Sequence, residues 1–137
     1  MVYAVPDNIP SRTAAAALIQ GLTALTNVTE SYNVQKGDIV FIHTIAGGVG
    51  QSLAQIAKAR GATVIGTTST LEKRMLAKAH GADHVILYQI ENTIERVLEI
   101  TDGQGVNVIS DGVGKATYVI RVNTLVSILC TAGSMMI

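Results

Sequence analysis

The sequence is poor in the residue types that mark several classes of protein. It has one cysteine among 137 residues, which excludes an intrachain disulfide and a cysteine zinc cluster. Its ten basic and ten acidic residues cancel, which leaves no charge surplus for nucleic acid or an anionic membrane. No uncharged run reaches the ~20 apolar residues of a membrane-spanning helix, and the start, MVYAVPDNIP, lacks the features of a secretory signal. These features predict one globular domain in a reducing, cytoplasmic setting.

What the sequence does contain is a regular alternation of apolar strands and amphipathic helices. Strands are predicted at Asp38–Thr44, Thr63–Thr67, His84–Tyr88, Val106–Asp111 and Val126–Thr131. Helices are predicted from Ser11 onward, at Val49–Arg60, at Thr70–His80, around Ile94–Leu98 and at Ala116–Asn123. Strands that alternate with single helices form a parallel sheet covered on both faces. The sequence therefore predicts an α/β fold, a doubly wound parallel sheet of Rossmann-like type.

Local signals predict how two of these helices begin and where one is interrupted. Ser11 is expected to cap the first helix, and Gly21 is expected to break or bend it. Ser69 and Glu72 have the spacing of a capping box at the start of the helix at Thr70–His80.

The glycine-rich turn Ala46-Gly47-Gly48-Val49-Gly50 lies between the first strand and the helix that follows it. Glycine there permits an unusual φ, a close approach to a pyrophosphate and tight packing of the helix on the strand. The free N–H groups and the dipole at the helix start favour an anion. Glycine pairs occur in many loops, but a turn flanked by a strand and an amphipathic helix predicts dinucleotide binding.

An acidic residue is missing where NAD-preferring domains use one to bind the ribose 2′-hydroxyl. At this point the chain reads Thr67-Thr68-Ser69-Thr70, followed by Lys73 and Arg74. Hydroxyls and a cation would hold a 2′-phosphate that a carboxylate would repel. Either base alone is more often a solvated helix residue. Together with the missing acid, they indicate NADP.

The sequence resembles the NADPH-dependent quinone oxidoreductases, the zeta-crystallin-like branch of the medium-chain dehydrogenase/reductase superfamily. Three segments carry the resemblance: AAALIQGLTALT, then KGDIVFIHTIAGGVGQSLAQIAKARGATVIGTTSTLEKRMLAKAHGADHVI, then ITDGQGVNVISDGVGKATY. It covers roughly Val5 to Tyr118. The resemblance implies a Rossmann-like coenzyme domain that binds NADPH, and an enzyme that transfers hydride to a quinone or an α,β-unsaturated carbonyl.

The resemblance also implies which positions bind the cofactor. Those expected at the pyrophosphate turn are Ala46, Gly47, Gly48 and Val49, with Gly50 as the close-packing glycine. Those expected at the 2′-phosphate are Ser69, Lys73 and Tyr88. Those expected beside the nicotinamide are Thr23 and the turn formed by Asp111, Gly112, Val113 and Gly114, in which Gly112 replaces a family serine. No catalytic side chain is predicted.

Zinc-dependent relatives place a cysteine ligand four residues before the position of Thr23, and this chain has Ile19 there. His43, His80 and His84 are interpreted as core or surface residues, and Cys130 as a buried apolar one. The resemblance therefore implies chemistry without a metal.

Members of this family begin with a GroES-like catalytic domain and end with a further strand and helix, and the resemblance implies that residues 1–137 include none of these. Residues 1–137 are therefore expected to form the coenzyme domain alone, truncated at its C-terminal end and with little turnover of its own. The resemblance implies a homodimer for the longer form. Two alternatives remain, a non-catalytic nucleotide- or RNA-binding module and a methyltransferase. The balanced charge disfavours RNA, and the missing acid disfavours a methyltransferase.

Overall fold

The computed structural model describes residues 4–113 and, as backbone, the strand at 125–130. The helices are α1 (Ser11–Thr26), α2 (Gly48–Ala59), α3 (Leu71–Ala79) and α4 (Thr93–Ile100). The strands are β1 (Ile39–Ile42), β2 (Thr63–Thr68), β3 (His84–Leu87), β4 (Val106–Ser110) and β5 (Leu125–Cys130). The helix predicted at Ala116–Asn123 and the predicted binding position Gly114 lie outside the described residues.

The strands form one parallel sheet in the order β3-β2-β1-β4-β5. The chain builds β1, β2 and β3 outward in one direction and then places β4 and β5 on the other side of β1. This reversal opens a crevice at the carboxyl ends of β1 and β4, where such sheets bind their ligands. The prediction of a doubly wound, Rossmann-like α/β fold is confirmed.

Alternate residues of the central strands enter two different cores. Val40 and Ile42 of β1 pack with buried residues of α1 and α2, whereas Phe41 packs with Val97 of α4. The helices therefore cover both faces of the sheet, and the strands are nearly continuous apolar runs, as is typical of parallel sheets.

The two predicted helix caps are wrong, and the break predicted at Gly21 is absent. Gly21 lies inside α1, which continues unbroken to Thr26, and the residue that precedes α1 as its cap is Pro10 rather than Ser11. α3 is capped by Thr70, whose side chain accepts a hydrogen bond from the N–H of Lys73 at 3.3 Å, and not by Ser69. Four consecutive hydroxyl residues offered several caps of equal chemistry, so the sequence pattern could not choose between neighbours.

Arg60, directly after α2, holds the segment that follows α1. α1 leads into a π-helical turn at Asn27–Ser31. The Nη1 of Arg60 donates to the carbonyl oxygens of Val28 and Val34 at 3.1 and 3.2 Å and to the Oδ1 of Asn33 at 2.9 Å. One guanidinium thereby ties the end of α2 to the segment that follows α1.

Asp83 joins α2 to the sheet. Its carboxylate accepts hydrogen bonds from the Nζ of Lys58 and, at 2.8 Å, from the N–H of Val64. Partial burial raises the pKa of Asp83, but the hydrogen bonds from Lys58 and Val64 and the charges of Lys58 and His84 outweigh it, so the pKa lies below its ordinary value.

Within the described residues, no helix has the length and hydrophobicity that a bilayer crossing requires.

Candidate dinucleotide-binding site

The loop between β1 and α2 makes its sharp change of direction at a threonine. Thr44 has a φ of 53°, while none of the glycines at 47, 48 and 50 has a positive φ. The Thr44 hydroxyl donates to the carbonyl oxygen of His43 at 2.7 Å, which holds this left-handed conformation. The expectation that the glycines supply an unusual φ is therefore wrong, because the residue that turns the chain lies two positions before Ala46.

Close contacts explain the glycines instead. A Cβ on Gly50 would lie 2.7 Å from the carbonyl oxygen of Thr44 and 2.8 Å from the Cα and the carbonyl oxygen of Ile45. These are backbone atoms that cannot move aside, so only glycine lets α2 pack this close to the end of β1. A Cβ on Gly47 would lie 3.3 Å from the carbonyl oxygen of Thr44.

The first N–H groups of α2 have no partner within the helix. Gly47 precedes the helix with extended backbone and provides no side-chain cap, and the first N–H that returns to it is that of Gln51, at 2.8 Å. The N–H groups of Gly48, Val49 and Gly50 precede the first intrahelical hydrogen bond, so they remain available to an anion.

A cavity of about 220 Å³ lies on the β2 side of this turn. It is lined by Thr44, Ala46, Gly47, Thr68, Ser69, Lys73 and Tyr88. Five positions predicted from the sequence therefore come together here, although they come from four separate segments. Arg74, which shared the sequence argument with Lys73, does not line it. The polar side chains of this lining are hydroxyls and one ammonium, and all except Thr44, whose hydroxyl donates to His43, can donate to a phosphate.

A second cavity, of about 240 Å³, lies on the β4 side of the turn, in the crevice between β1 and β4. It is lined by Thr23, Ile42, His43, Thr44, Val49, Gly50, Leu53, Ser110 and Gly112. Thr23 reaches the crevice because α1 packs beside α2. Thr44 lines both cavities, which therefore meet at the glycine turn.

Two predicted nicotinamide-side positions do not line this crevice. Asp111 is buried, and its Oδ1 accepts a hydrogen bond from the N–H of Val113 at 2.8 Å, which shapes the loop after β4. Val113 is half exposed. The neighbours Ser110 and Gly112 take the lining positions instead, because successive residues leaving a strand face opposite directions.

His43 is a site residue that sequence reasoning missed. It was interpreted as core or surface; it is buried, and it also lines the crevice. Its Nδ1 lies 3.2 Å from the hydroxyl of Thr67, and the ring of Phe41 packs perpendicular to it with centroids 4.7 Å apart. Its place at the carboxyl end of β1 was the signal available, since that end of a parallel strand faces the ligand. Among residues 4–113, no three His, Cys, Asp or Glu side chains are grouped to hold a metal ion.

Comparison with known proteins agrees with this geometry. Residues 48–137 match the family model described as zinc-binding dehydrogenase. The chain belongs to that family, which is part of the medium-chain dehydrogenase/reductase superfamily, and within it the chain groups with the quinone oxidoreductases. The family prediction made from the sequence is confirmed.

Three relatives illustrate the grouping. The quinone oxidoreductase of Pseudomonas aeruginosa is 44% identical over 114 residues, covering 83% of this chain and 35% of the relative. A 2-haloacrylate reductase from a Burkholderia species is 43% identical over 103 residues, covering 75% of this chain and 31% of the relative. The crystal structure of the Escherichia coli quinone oxidoreductase with NADPH superposes with a TM-score of 0.87 at 37% identity, covering 90% of this chain and 38% of that one. The chain thus spans about a third of the length of the curated relatives it matches.

Proposed function

We propose that this chain is the NADPH-binding domain of an oxidoreductase that reduces a quinone or an α,β-unsaturated carbonyl compound. The observation that carries the proposal is the cavity beside the glycine turn, in which Ser69, Lys73 and Tyr88 converge although they come from separate segments. A donor-lined cavity next to an uncapped helix start suits a ligand with a 2′-phosphate and a pyrophosphate.

Three parts of the site would hold three parts of NADPH. The cavity on the β2 side would bind the adenosine 2′-phosphate through Ser69 and Lys73, and the N–H groups at the start of α2 would bind the pyrophosphate. The crevice lined by Thr23, His43 and Ser110 would hold the nicotinamide half between largely apolar walls that exclude water. The bound nucleotide supplies the hydride, and the residues of this chain orient it.

The chemical class of the substrate follows from the relatives. Quinones and 2-haloacrylates both present a carbon–carbon double bond conjugated to a carbonyl group, which can accept a hydride. Relatives named for either substrate match this chain at more than 40% identity. We place this chain in a longer, homodimeric, cytoplasmic enzyme whose catalytic domain completes the substrate pocket. The isolated residues 1–137 would then turn over little or nothing.

The proposed reaction uses no zinc. The position at which zinc-dependent relatives carry a cysteine is Ile19, an alkyl side chain that cannot bind a metal and is 74% exposed on α1. The support is the identity of this one residue, since the family's name covers members of both kinds.

Calorimetric titration of the purified chain with NADPH and with NADH tests the proposal. We expect NADPH to bind at least 10-fold more tightly, because only NADPH brings a 2′-phosphate to Lys73. Adenosine 2′-monophosphate should bind more tightly than adenosine 5′-monophosphate for the same reason. Equal affinities for NADPH and NADH would overturn the cofactor preference, and binding of neither would overturn the proposal for this chain.

A further inference from the structure

The side chain of Gln20 on α1 lies directly against the first residue of α2. A Cβ built on Gly48 would come within 2.3 Å of the Cδ and Oε1 of Gln20 and within 2.4 Å of its Nε2. All three carboxamide atoms therefore occupy the space that any other residue at position 48 would fill. Gly48 is the position at which α1 and the glycine turn meet.

Gln20 has hydrogen-bonding capacity to spare at this point. It is exposed, and its side chain makes no hydrogen bond to the described residues, although a carboxamide has two donors and an acceptor. It lies three residues before Thr23, which places both side chains on one face of α1. Thr23 already lines the crevice on the β4 side of the turn, so this face of α1 borders the proposed nucleotide site.

The carboxamide lies against the first residue of α2. A Cβ at Gly48 would meet it, and Gly48 is the first of the three residues whose N–H groups precede the intrahelical hydrogen bonds of α2. A donor on a separate helix adds a direction of approach that the helix end alone does not provide. A pyrophosphate has acceptor oxygens on more than one side, so it can accept from both.

We infer that Gln20 is a cofactor-binding residue whose carboxamide donates to the pyrophosphate of NADPH. Gly48 is then glycine because a side chain there would displace the carboxamide from its place. The inference rests on the proposed function and deepens it, because it names a residue of α1 that fixes the affinity of the site.

Two substitutions with different charge test the role of Gln20. Gln20→Ala removes the donor, and we expect it to weaken NADPH binding by roughly 10-fold. Gln20→Glu keeps the size and helix propensity of the side chain but faces the pyrophosphate with a negative charge, and we expect roughly 30-fold weakening that decreases with added salt. The matched control is Gln104→Glu, the same change at an exposed loop position before the amino end of β4, which should leave NADPH affinity unchanged.

Adenosine 2′-monophosphate separates this inference from the proposed function, because it carries the 2′-phosphate and no pyrophosphate. Its affinity should be unchanged in both Gln20 variants, whose thermal unfolding should match the wild type. Wild-type affinity for NADPH in Gln20→Glu would overturn the role of Gln20 and leave the proposed function standing. Equal loss of both ligands would also overturn it, by showing a general disturbance of the domain. Failure of the wild-type chain to bind NADPH would overturn both.

Discussion

The side chain of Ile45 packs directly on the bare backbone of Gly66 in β2. A Cβ at position 66 would lie 2.4 Å from the Cδ1 of Ile45, 2.6 Å from its Cβ and 2.7 Å from its Cγ2. Ile45 is fully buried, and its N–H donates to the carbonyl oxygen of Thr67 at 3.0 Å. This contact fixes the height of the glycine turn above the sheet, and with it the place where the two cavities meet.

Gly66→Ala should therefore be destabilising. The extra methyl group overfills a packed core and should lower the free energy of unfolding by about 1–3 kcal/mol. Urea unfolding followed by circular dichroism would measure the loss. Combined with Ile45→Ala, the two changes should cost less than their sum, because removing the outer atoms of Ile45 relieves two of the three contacts. Strict additivity would show that Ile45 is not what excludes a side chain at Gly66.

A pair of glycine substitutions should have opposite signs. Gly50→Ala should lower the free energy of unfolding by about 1–3 kcal/mol and weaken NADPH binding, because the new Cβ meets the backbone of Thr44 and Ile45. Gly21→Ala should raise the free energy of unfolding by about 0.5–1 kcal/mol, since Gly21 lies inside α1 with no atom within 4 Å of the new methyl group. The same unfolding measurement serves both, and a stabilising Gly50→Ala would contradict the close-packing role.

The two hydroxyls at the start of α3 should have separate functions. Thr70→Ala removes the observed cap and should cost about 1 kcal/mol in the free energy of unfolding. Ser69→Ala should leave stability nearly unchanged and weaken NADPH binding several-fold, because Ser69 lines the cavity instead. Thermal unfolding and calorimetry on the same samples would test this. A reversed pattern would restore Ser69 as the cap.

Lys73 and Arg74 should differ although they are adjacent in sequence. Lys73→Glu places a carboxylate in the cavity and should weaken NADPH binding by roughly 30-fold or more, with NADH affinity unchanged or improved. Arg74→Glu makes the same change of charge outside the lining and should alter NADPH affinity by no more than about 3-fold. Calorimetric titration of each variant with NADPH and with NADH gives the four affinities that this comparison needs. Equal losses in the two variants would point to a diffuse charge effect rather than a built site.

Asp83 should make stability depend on acidity. Its folded pKa lies below the unfolded value of 3.8, so its contribution to stability is complete above that value and is lost as the pH falls below it. Asp83→Asn should cost about 1 kcal/mol near neutral pH, since the pair with Lys58 is partly exposed. The difference between variant and wild type should shrink as the pH falls below 3.8.

The measurement for Asp83 is urea unfolding at a series of pH values. Asp7→Asn, on the exposed N-terminal segment, is the control and should parallel the wild type throughout. If the loss of unfolding free energy in Asp83→Asn stays constant with pH, the charge of the Asp83 carboxylate is not the cause of that loss.

The sequence predicted the order and type of nearly every described element, because buried parallel strands and amphipathic helices have distinct periodicities. It also predicted that Ser69 and Lys73 belong to one site, and they line one cavity, while Tyr88 in the same lining was expected only from the family resemblance. It missed what depends on three-dimensional contact. The spacing of residues in the sequence does not show that Thr44 makes the turn, or that the side chain of Ile45 leaves no room for a side chain at Gly66. The contact of Gln20 with Gly48 joins residues of two different helices, which no local pattern can indicate.

The three hydrogen bonds of Arg60 have a consequence for motion. They hold Val28, Asn33 and Val34 of the segment that follows α1, about two helical turns beyond Gln20. α1 is thus held by Arg60 just beyond its C-terminal end, while at Gln20 it contacts the first residue of α2 without a hydrogen bond from that side chain. A nucleotide held between Gln20 and the start of α2 would add a restraint there, so binding should slow hydrogen exchange most in the turns of α1 around Gln20 and least at Val28, which Arg60 already holds.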